Sequence, residues 1–191
     1  AVEWANLINR TSNSASHQGT AITAVTAPVT GNTITYNSAD VLQPFLDSVW
    51  NQTHENLTLY VVDNLSTDTT LDILRNDKDS RLVVSKNETN FGVAKANNQG
   101  IRKAIDDGCN QILIINNDVE FETTLIEKLL KVQADKCCSL VSPKMMYFDN
   151  PDHIWYAGST FVKRKGYQYC DYFLLKLRNL QKHHYLIGSW A

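Results

Sequence analysis

The chain has 191 residues, of which 43% are hydrophobic and 20% charged, a composition that suits one domain whose core stands without disulfides or structural metal. Its 18 basic and 20 acidic side chains leave a net charge of -2, which argues against a whole-domain nucleic-acid binder. Apolar runs such as residues 112–115 fall far short of the roughly 18 residues that span a bilayer, and no signal-peptide core follows the start, so a soluble, cytoplasmic chain is expected.

Residues 1–32 are rich in Ser, Thr, Ala and Asn, with Pro28 and Gly31 as breakers, and are expected to be mostly irregular. Residues 33–36 read as a short strand. Val41, Leu42, Phe45, Leu46, Val49 and Trp50 then recur at helical spacing; Ser38 or Asp40 can cap that helix, and Pro44 belongs in its first turns. Residues 57–62 form a strand ending at Asp63, residues 69–75 a short helix and residues 81–85 another strand. Residues 93–105 read as a helix with Val93, Asn97, Gly100, Ile101 and Ala104 on one face. An apolar strand over residues 111–115 stops at Asn116, Asn117 and Asp118. A helix over residues 122–133 turns Leu125, Ile126, Leu129 and Leu130 inward, and residues 139–142 form a last strand. Strands alternating with amphipathic helices predict an α/β fold with a mostly parallel sheet flanked by helices on both faces. Cys109, Cys137, Cys138 and Cys170 form no CxxC pair and read as reduced thiols rather than a zinc site.

In an open parallel sheet, ligands bind beyond the carboxyl ends of the strands. The first four predicted strands run into polar residues there: Tyr36 and Asn37; Asp63, Asn64, Ser66 and Asp68; Asn87 and Asn90; Asn116, Asn117 and Asp118. Any one set serves equally well to cap the next helix, but four sets outline one polar crevice. Asp118 can hold a hard divalent cation that also takes diphosphate oxygens, or cap the helix that follows. Asp63 can accept a hydrogen bond from a base imide or a ribose hydroxyl, or act as a turn acid. In NFGVAKANNQG, residues 90–100, Gly92 lets backbone approach a ligand, the helix start offers N–H groups to phosphate, and Lys95 adds a cation. GxGxxG and P-loop patterns are absent, and His54, His153, His183 and His184 have no Ser or Cys nucleophile beside them in sequence.

TYNSADVLQPFLDSVWNQT (35–53), LYVVDNLSTDTT (59–70), NETNFGVAKANNQGI (87–101), ILIINNDVEF (112–121) and IWYAGSTF (154–161) follow one another in the order and spacing of a known family. On these stretches the chain resembles the bacterial family 2 inverting glycosyltransferases of GT-A fold, particularly their rhamnosyltransferase-like branch. The resemblance implies transfer of a sugar from a nucleotide-diphospho-sugar to an acceptor hydroxyl, with inversion and with Mn or Mg as cofactor. It places Asp63 at the nucleotide base, Asn90, Gly92 and Lys95 along the donor, and Asp118 last in the DXD-type metal motif, written here Asn116, Asn117, Asp118. Tyr36, Asn37, Asn64 and Ser66 complete the candidate donor-binding set. A sugar-phosphate nucleotidyltransferase would need a Gly- and Arg-rich loop after the first strand, and a receiver domain an acidic pair; Tyr36 and Asn37 supply neither.

Two departures from the family shape the expected organisation. Its first strand has the form VSVIIVTYN, whereas TAPVTGNTI precedes Tyr36 here, so residues 1–32 are an atypical irregular segment ahead of a nucleotide-sugar-binding domain over 33–162. Beyond IWYAGS the family continues to an acidic motif holding the general base. Asp171 comes too soon after Gly158 to be that base, so no catalytic residue is assigned and the acceptor half is expected to be incomplete. Residues 163–191 carry six basic side chains and one acidic, a balance of +5 against -7 for residues 1–162. This segment reads as the truncated start of an acceptor-binding region. It suits a saccharide or lipid-linked saccharide acceptor and peripheral contact with the inner membrane face, or a packing surface left uncovered. The alternative function is a non-catalytic donor-binding remnant.

Overall fold

A computed structural model describes residues 6–9, 27–136, 138, 140–157, 160–162 and 167–169. In chain order they form β1 (Asn6–Asn9), β2 (Val29–Thr35), α1 (Ala39–Trp50), β3 (Leu57–Asp63), α2 (Thr70–Asn76), β4 (Leu82–Lys86), α3 (Gly92–Asp106) and β5 (Gln111–Ile114). After these come α4 (Leu125–Lys136), β6 (Leu140–Val141), β7 (Met145–Met146), β8 (Ile154–Tyr156), β9 (Thr160–Val162) and β10 (Tyr167–Tyr169). Cys137, Cys170, Asp171 and all six cations of the basic segment lie outside the described residues.

Six strands make one sheet in the order β4-β3-β2-β5-β1-β6. β4, β3, β2 and β5 run parallel, and β1 lies antiparallel between β5 and β6. β2 is flanked by β3 on one side and β5 on the other, so the winding direction reverses between β2 and β5, where a crevice opens at the carboxyl ends of the strands. β2 pairs with β3 through Thr35↔Asp63 but with β5 only as far as Asn32↔Ile114. Thr33 to Thr35 therefore project past β5 and form one wall of that opening.

Within residues 1–32, expected to be mostly irregular, the sheet takes up β1 and the first four residues of β2. Pro28 stands just outside the ladder, and pairing starts at Val29, whose N–H donates to the Asn56 carbonyl at 3.0 Å. Gly31 is admitted because its bare Cα lies under Leu59; a Cβ there would come 3.0 Å from Leu59 Cδ1. The strand's polar side chains are buried, and two of them pair internally: Asn32 Nδ2 donates to Asn97 Oδ1 at 2.8 Å and the Thr35 hydroxyl to Asp63 Oδ1 at 2.9 Å.

Alternating β3 residues feed two cores. Leu57, Leu59 and Val61 pack with Leu42, Phe45, Leu46 and Val49 of α1 and with Ile126, Leu129 and Leu130 of α4, while Tyr60 packs with Ile112 and Ala104 of α3 on the opposite face. The inward residues of α4 are those its periodicity predicts. On α3 the buried residues are Ala96, Gly100 and Ala104, and Val93, expected on the inward face, is 67% exposed. Burial on α3 begins at Ala96, about one turn after Val93. Among the described residues no helix is long and apolar enough to cross a membrane, and Cys109 is a free thiol.

Candidate functional site

The crevice wall is built from the turns that leave β2 and β3. Asp63 ends β3 with no exposed surface; its Oδ1 accepts from the Thr35 hydroxyl and its Oδ2 from the Ser66 N–H at 3.0 Å. Ser66 Oγ in turn accepts from the Asn37 N–H at 3.0 Å, and Asn37 Oδ1 from the Thr67 N–H at 2.8 Å. Asn37 and Leu65 both have left-handed backbone, φ 51° and 73°. Asparagine adopts that region readily; for leucine it is strained, and the hydrogen bonds on either side hold it.

The turn after β3 also joins the ends of β2 and α2. Asp68 accepts from the N–H groups of Thr70 at 3.0 Å and Ala39 at 3.1 Å, and Thr70 Oγ1 accepts from the Ser38 N–H at 2.8 Å. Burial pushes the Asp68 carboxyl up, but hydrogen bonds from the Thr70 hydroxyl and from the Thr70 and Ala39 N–H groups outweigh it and hold the group below its usual range. Tyr36, 53% exposed, stands on the rim with its N–H donating to Ser38 Oγ.

A second set of amides fixes the entry to α3. Asn64 Nδ2 donates to Asn90 Oδ1 at 2.8 Å, and Asn64 Oδ1 accepts from Asn87 Nδ2 at 3.0 Å and from the Phe91 N–H at 3.1 Å. Asn90 Oδ1 also accepts from the Gly92 N–H at 2.9 Å. Asn87 and Gln99 exchange hydrogen bonds of 2.9 and 3.1 Å. Gly92 is required by its φ of 76° rather than by crowding, since a Cβ there would meet nothing within 4 Å. Lys95 places its ammonium 3.5 Å from the Phe91 ring centroid, a cation–π contact at the mouth of the crevice.

Asn37, Asp63, Asn64, Ser66 and Asn90 thus form a connected set, with Gly92 and Lys95 beside it. Asn116, Asn117 and Asp118 leave the end of β5 on the far side of the switch point, each half-buried. Among the described residues no three His, Cys, Asp or Glu side chains gather around one point. Asn117 Nδ2 is buried without a hydrogen-bond partner. One carboxylate beside one amide is too few for a caged ion, but it fits a hard divalent cation that takes its remaining oxygens from phosphate and water. Thr35, Thr70 and Gln99 were missed as supporting residues. Thr35 carried a signal, because strand register sets it opposite Asp63; Gln99 carried only its place one turn after Ala96.

Comparison with known proteins bears on this arrangement. The sequence model described as glycosyl transferase family 2 matches residues 33–191. TuaG of Bacillus subtilis is 29% identical over 109 residues, 56% of this chain and 42% of TuaG. Escherichia coli WfaP, a UDP-Glc:alpha-D-GlcNAc-diphosphoundecaprenol beta-1,3-glucosyltransferase, is 36% identical over 69 residues, 36% of this chain and 28% of WfaP. The chain therefore spans less than half the length of these curated relatives. The crystal structure of S. aureus TarS 1-349 in complex with UDP-GlcNAc matches with a TM-score of 0.51 at 25% identity, over 56% of this chain and 31% of that one. The parallel β4-β3-β2-β5 sheet with helices on both faces is the GT-A-like architecture that the sequence predicts.

Proposed function

This chain belongs to glycosyl transferase family 2, and from that premise we propose that it binds a nucleotide-diphospho-sugar at the β2/β5 switch point and transfers the sugar to an acceptor hydroxyl with inversion. The observation that carries the reading is the convergence of Asn37, Asp63, Asn64, Ser66 and Asn90 into one hydrogen-bonded wall at the carboxyl ends of β2, β3 and β4. The relatedness to a protein crystallised with UDP-GlcNAc supports a nucleotide sugar as donor.

In this reading Asp63 and Ser66 define the base subsite, with the exposed Tyr36 ring and Asn37 at its rim. Asn64, Asn90, Gly92 and Lys95 lie along the donor. The first N–H groups of α3 and the Lys95 ammonium offer positive charge to the phosphates. Asp118, with the Asn117 amide beside it, would hold Mn or Mg, which when bound supplies charge to offset that on the leaving diphosphate. The acceptor oxygen attacks the anomeric carbon from the face opposite the leaving group. The bond from that carbon to the diphosphate oxygen breaks, the nucleoside diphosphate departs, and the hydroxyl proton passes to a carboxylate base. The acceptor is a saccharide or, as the name of WfaP suggests, a lipid-linked one.

Calorimetric titration of UDP-GlcNAc with and without Mn tests this. The wild-type chain should bind in a metal-dependent way, and Asp118→Ala should lose that dependence with an unchanged circular dichroism spectrum. Undiminished metal-dependent affinity in the variant would remove Asp118 from the metal site. A wild-type chain that binds no UDP-sugar would overturn the donor reading, and binding with no turnover on any acceptor would favour the donor-binding remnant.

A further inference from the structure

A chain of side-chain amides runs from the entry of α3 to its second turn, and its direction is fixed by the backbone. An N–H of the main chain can only donate, so the Phe91 N–H marks the oxygen of Asn64, at 3.1 Å, and the Gly92 N–H marks that of Asn90, at 2.9 Å. Every other amide follows from those two points. Asn64 Nδ2 donates to Asn90 Oδ1, and Asn87 Nδ2 donates to Asn64 Oδ1. Asn87 then closes the chain in a reciprocal pair with Gln99, donating to Oε1 at 2.9 Å and accepting from Nε2 at 3.1 Å.

Asn64 and Asn87, in the middle, are buried, whereas Asn90 and Gln99, at the two ends, are exposed. A reversed Asn87 would set its oxygen against Asn64 Oδ1, two acceptors in contact. Gln99 is what holds Asn87 the right way round, and without it Asn87 Oδ1 loses its partner inside a buried side chain. The consequence falls on the crevice. Asn90 Oδ1 is taken twice, by Asn64 and by Gly92, so this exposed side chain has only its Nδ2 left to offer. Asn37 ends the same way, because its Oδ1 accepts from both the N–H and the hydroxyl of Thr67. These two amides therefore present donors and withhold acceptors, the polarity that suits the ionised oxygens of a diphosphate.

We propose that Asn87 and Gln99 are positioning residues for the donor: their pair holds Asn64, and through it Asn90, so that Asn90 meets the bound ligand with Nδ2. That the ligand is the donor rests on the reading above; that the four amides are coupled rests on their hydrogen bonds alone. Gln99 acts only through Asn87.

The test uses the full chain, with UDP titrated by calorimetry in the presence of Mn and the side-chain amide signals followed by NMR without ligand. Gln99→Leu should shift the signals of Asn64 and Asn90 and weaken UDP binding about three- to tenfold, the worth of one hydrogen bond. Asn90→Ala should weaken it at least as much, and the double variant no further, because Gln99 has nothing to act through once the Asn90 amide is gone. Gln99→Glu separates positioning from packing. The ionised carboxylate cannot donate to Asn87 Oδ1 and the protonated form can, so UDP affinity relative to wild type should be low at neutrality and recover as the pH falls toward about 5, above the ordinary glutamate value because an acceptor oxygen faces the carboxyl. The proposal is overturned if Gln99→Leu lowers the urea midpoint but leaves UDP affinity unchanged, or if the losses in the double variant multiply. A wild-type chain that binds no UDP while the Asn64 and Asn90 signals still respond to Gln99→Leu would sink the donor reading and keep the amide coupling; UDP binding with those signals unmoved would do the reverse.

Discussion

Asp63 shows how one side chain links the sheet to the site. It has no exposed surface, and a carboxylate so placed is tolerable only when hydrogen-bonded; the Thr35 hydroxyl and the Ser66 N–H meet that need, one at each oxygen. In Asp63→Asn the amide oxygen can keep Ser66 while the Thr35 hydroxyl turns to accept, so the turn should form. The negative charge that holds the Ser66 turn behind the proposed base subsite is lost, and UDP binding should weaken by about 1–3 kcal/mol, the worth of a hydrogen bond to a charged group. Pyrophosphate affinity should stay unchanged, and equal losses for the two ligands in calorimetry would place Asp63 outside the base subsite. Asp68 gives a pH prediction nearby. Its carboxyl titrates below its ordinary value in the fold, so its contribution to stability is fully present above that ordinary value and is lost as pH falls through the lower, folded one. The difference in urea midpoint between wild type and Asp68→Asn should hold constant from neutrality down to about pH 4 and close below it. A difference that is flat to pH 2 would show that the carboxylate charge contributes nothing to that turn.

Among the elements, α3 and β2 approach closely, and Gly100 is the reason they can. A Cβ at Gly100 would fall 1.6 Å from Asn32 Oδ1 and 2.7 Å from its Cγ, and Asn32 is wholly buried in the central strand with Asn97 on its amide. Gly100→Ala must displace either that side chain or the helix, at a cost of about 1–3 kcal/mol, against at most about 1 kcal/mol gained in helix propensity. The urea midpoint should therefore fall, and pairing it with Asn32→Ala should recover much of the loss; purely additive effects would show that the two residues do not contend for space. The same pair explains what the sequence revealed. β3, α1, α4 and β5 were legible because their apolar residues repeat at one period, and their ends carried the crevice residues with them. β2 was legible only in its last three residues, because two of its buried polar side chains pair with residues far along the chain, Thr35 Oγ1 with Asp63 and Asn32 Nδ2 with Asn97, while Asn32 Oδ1 and Thr33 Oγ1 are buried without a hydrogen-bond partner. Its glycine marks the close packing of Leu59 rather than a break. β1 was hidden for another reason, since its four residues gain their place only from β5 and β6 on either side. Of the site, the identity of the strand-end residues was visible, but the amide chain from Asn64 through Asn87 to Gln99 was not, because no local pattern encodes which amides meet.

At the scale of the whole molecule, charge is segregated along the chain: residues 1–162 balance at -7 and residues 163–191 at +5. A nearly neutral total hides this division, and the two parts answer differently to a charged surface. Lys163, Arg164, Lys165, Lys176, Arg178 and Lys182 share their segment with Tyr172, Phe173, Leu174, Leu175, Leu177 and Trp190, a mixture that suits the boundary of an anionic bilayer, where each cation adds about 1 kcal/mol. If the acceptor is lipid-linked, such contact would hold the chain at the surface where acceptor is found. If this segment meets a membrane, the chain should co-sediment with phosphatidylserine-containing vesicles at low salt and be released as the Debye length shrinks to about 3 Å at 1 M, with no binding to neutral vesicles. Replacing Lys163, Arg164 and Lys165 with Gln should lower the partition coefficient steeply, because the three contributions add in free energy and multiply in the constant. Pelleting that depends on protein concentration and occurs without vesicles would overturn the membrane role and show instead that the apolar residues of this segment associate with one another.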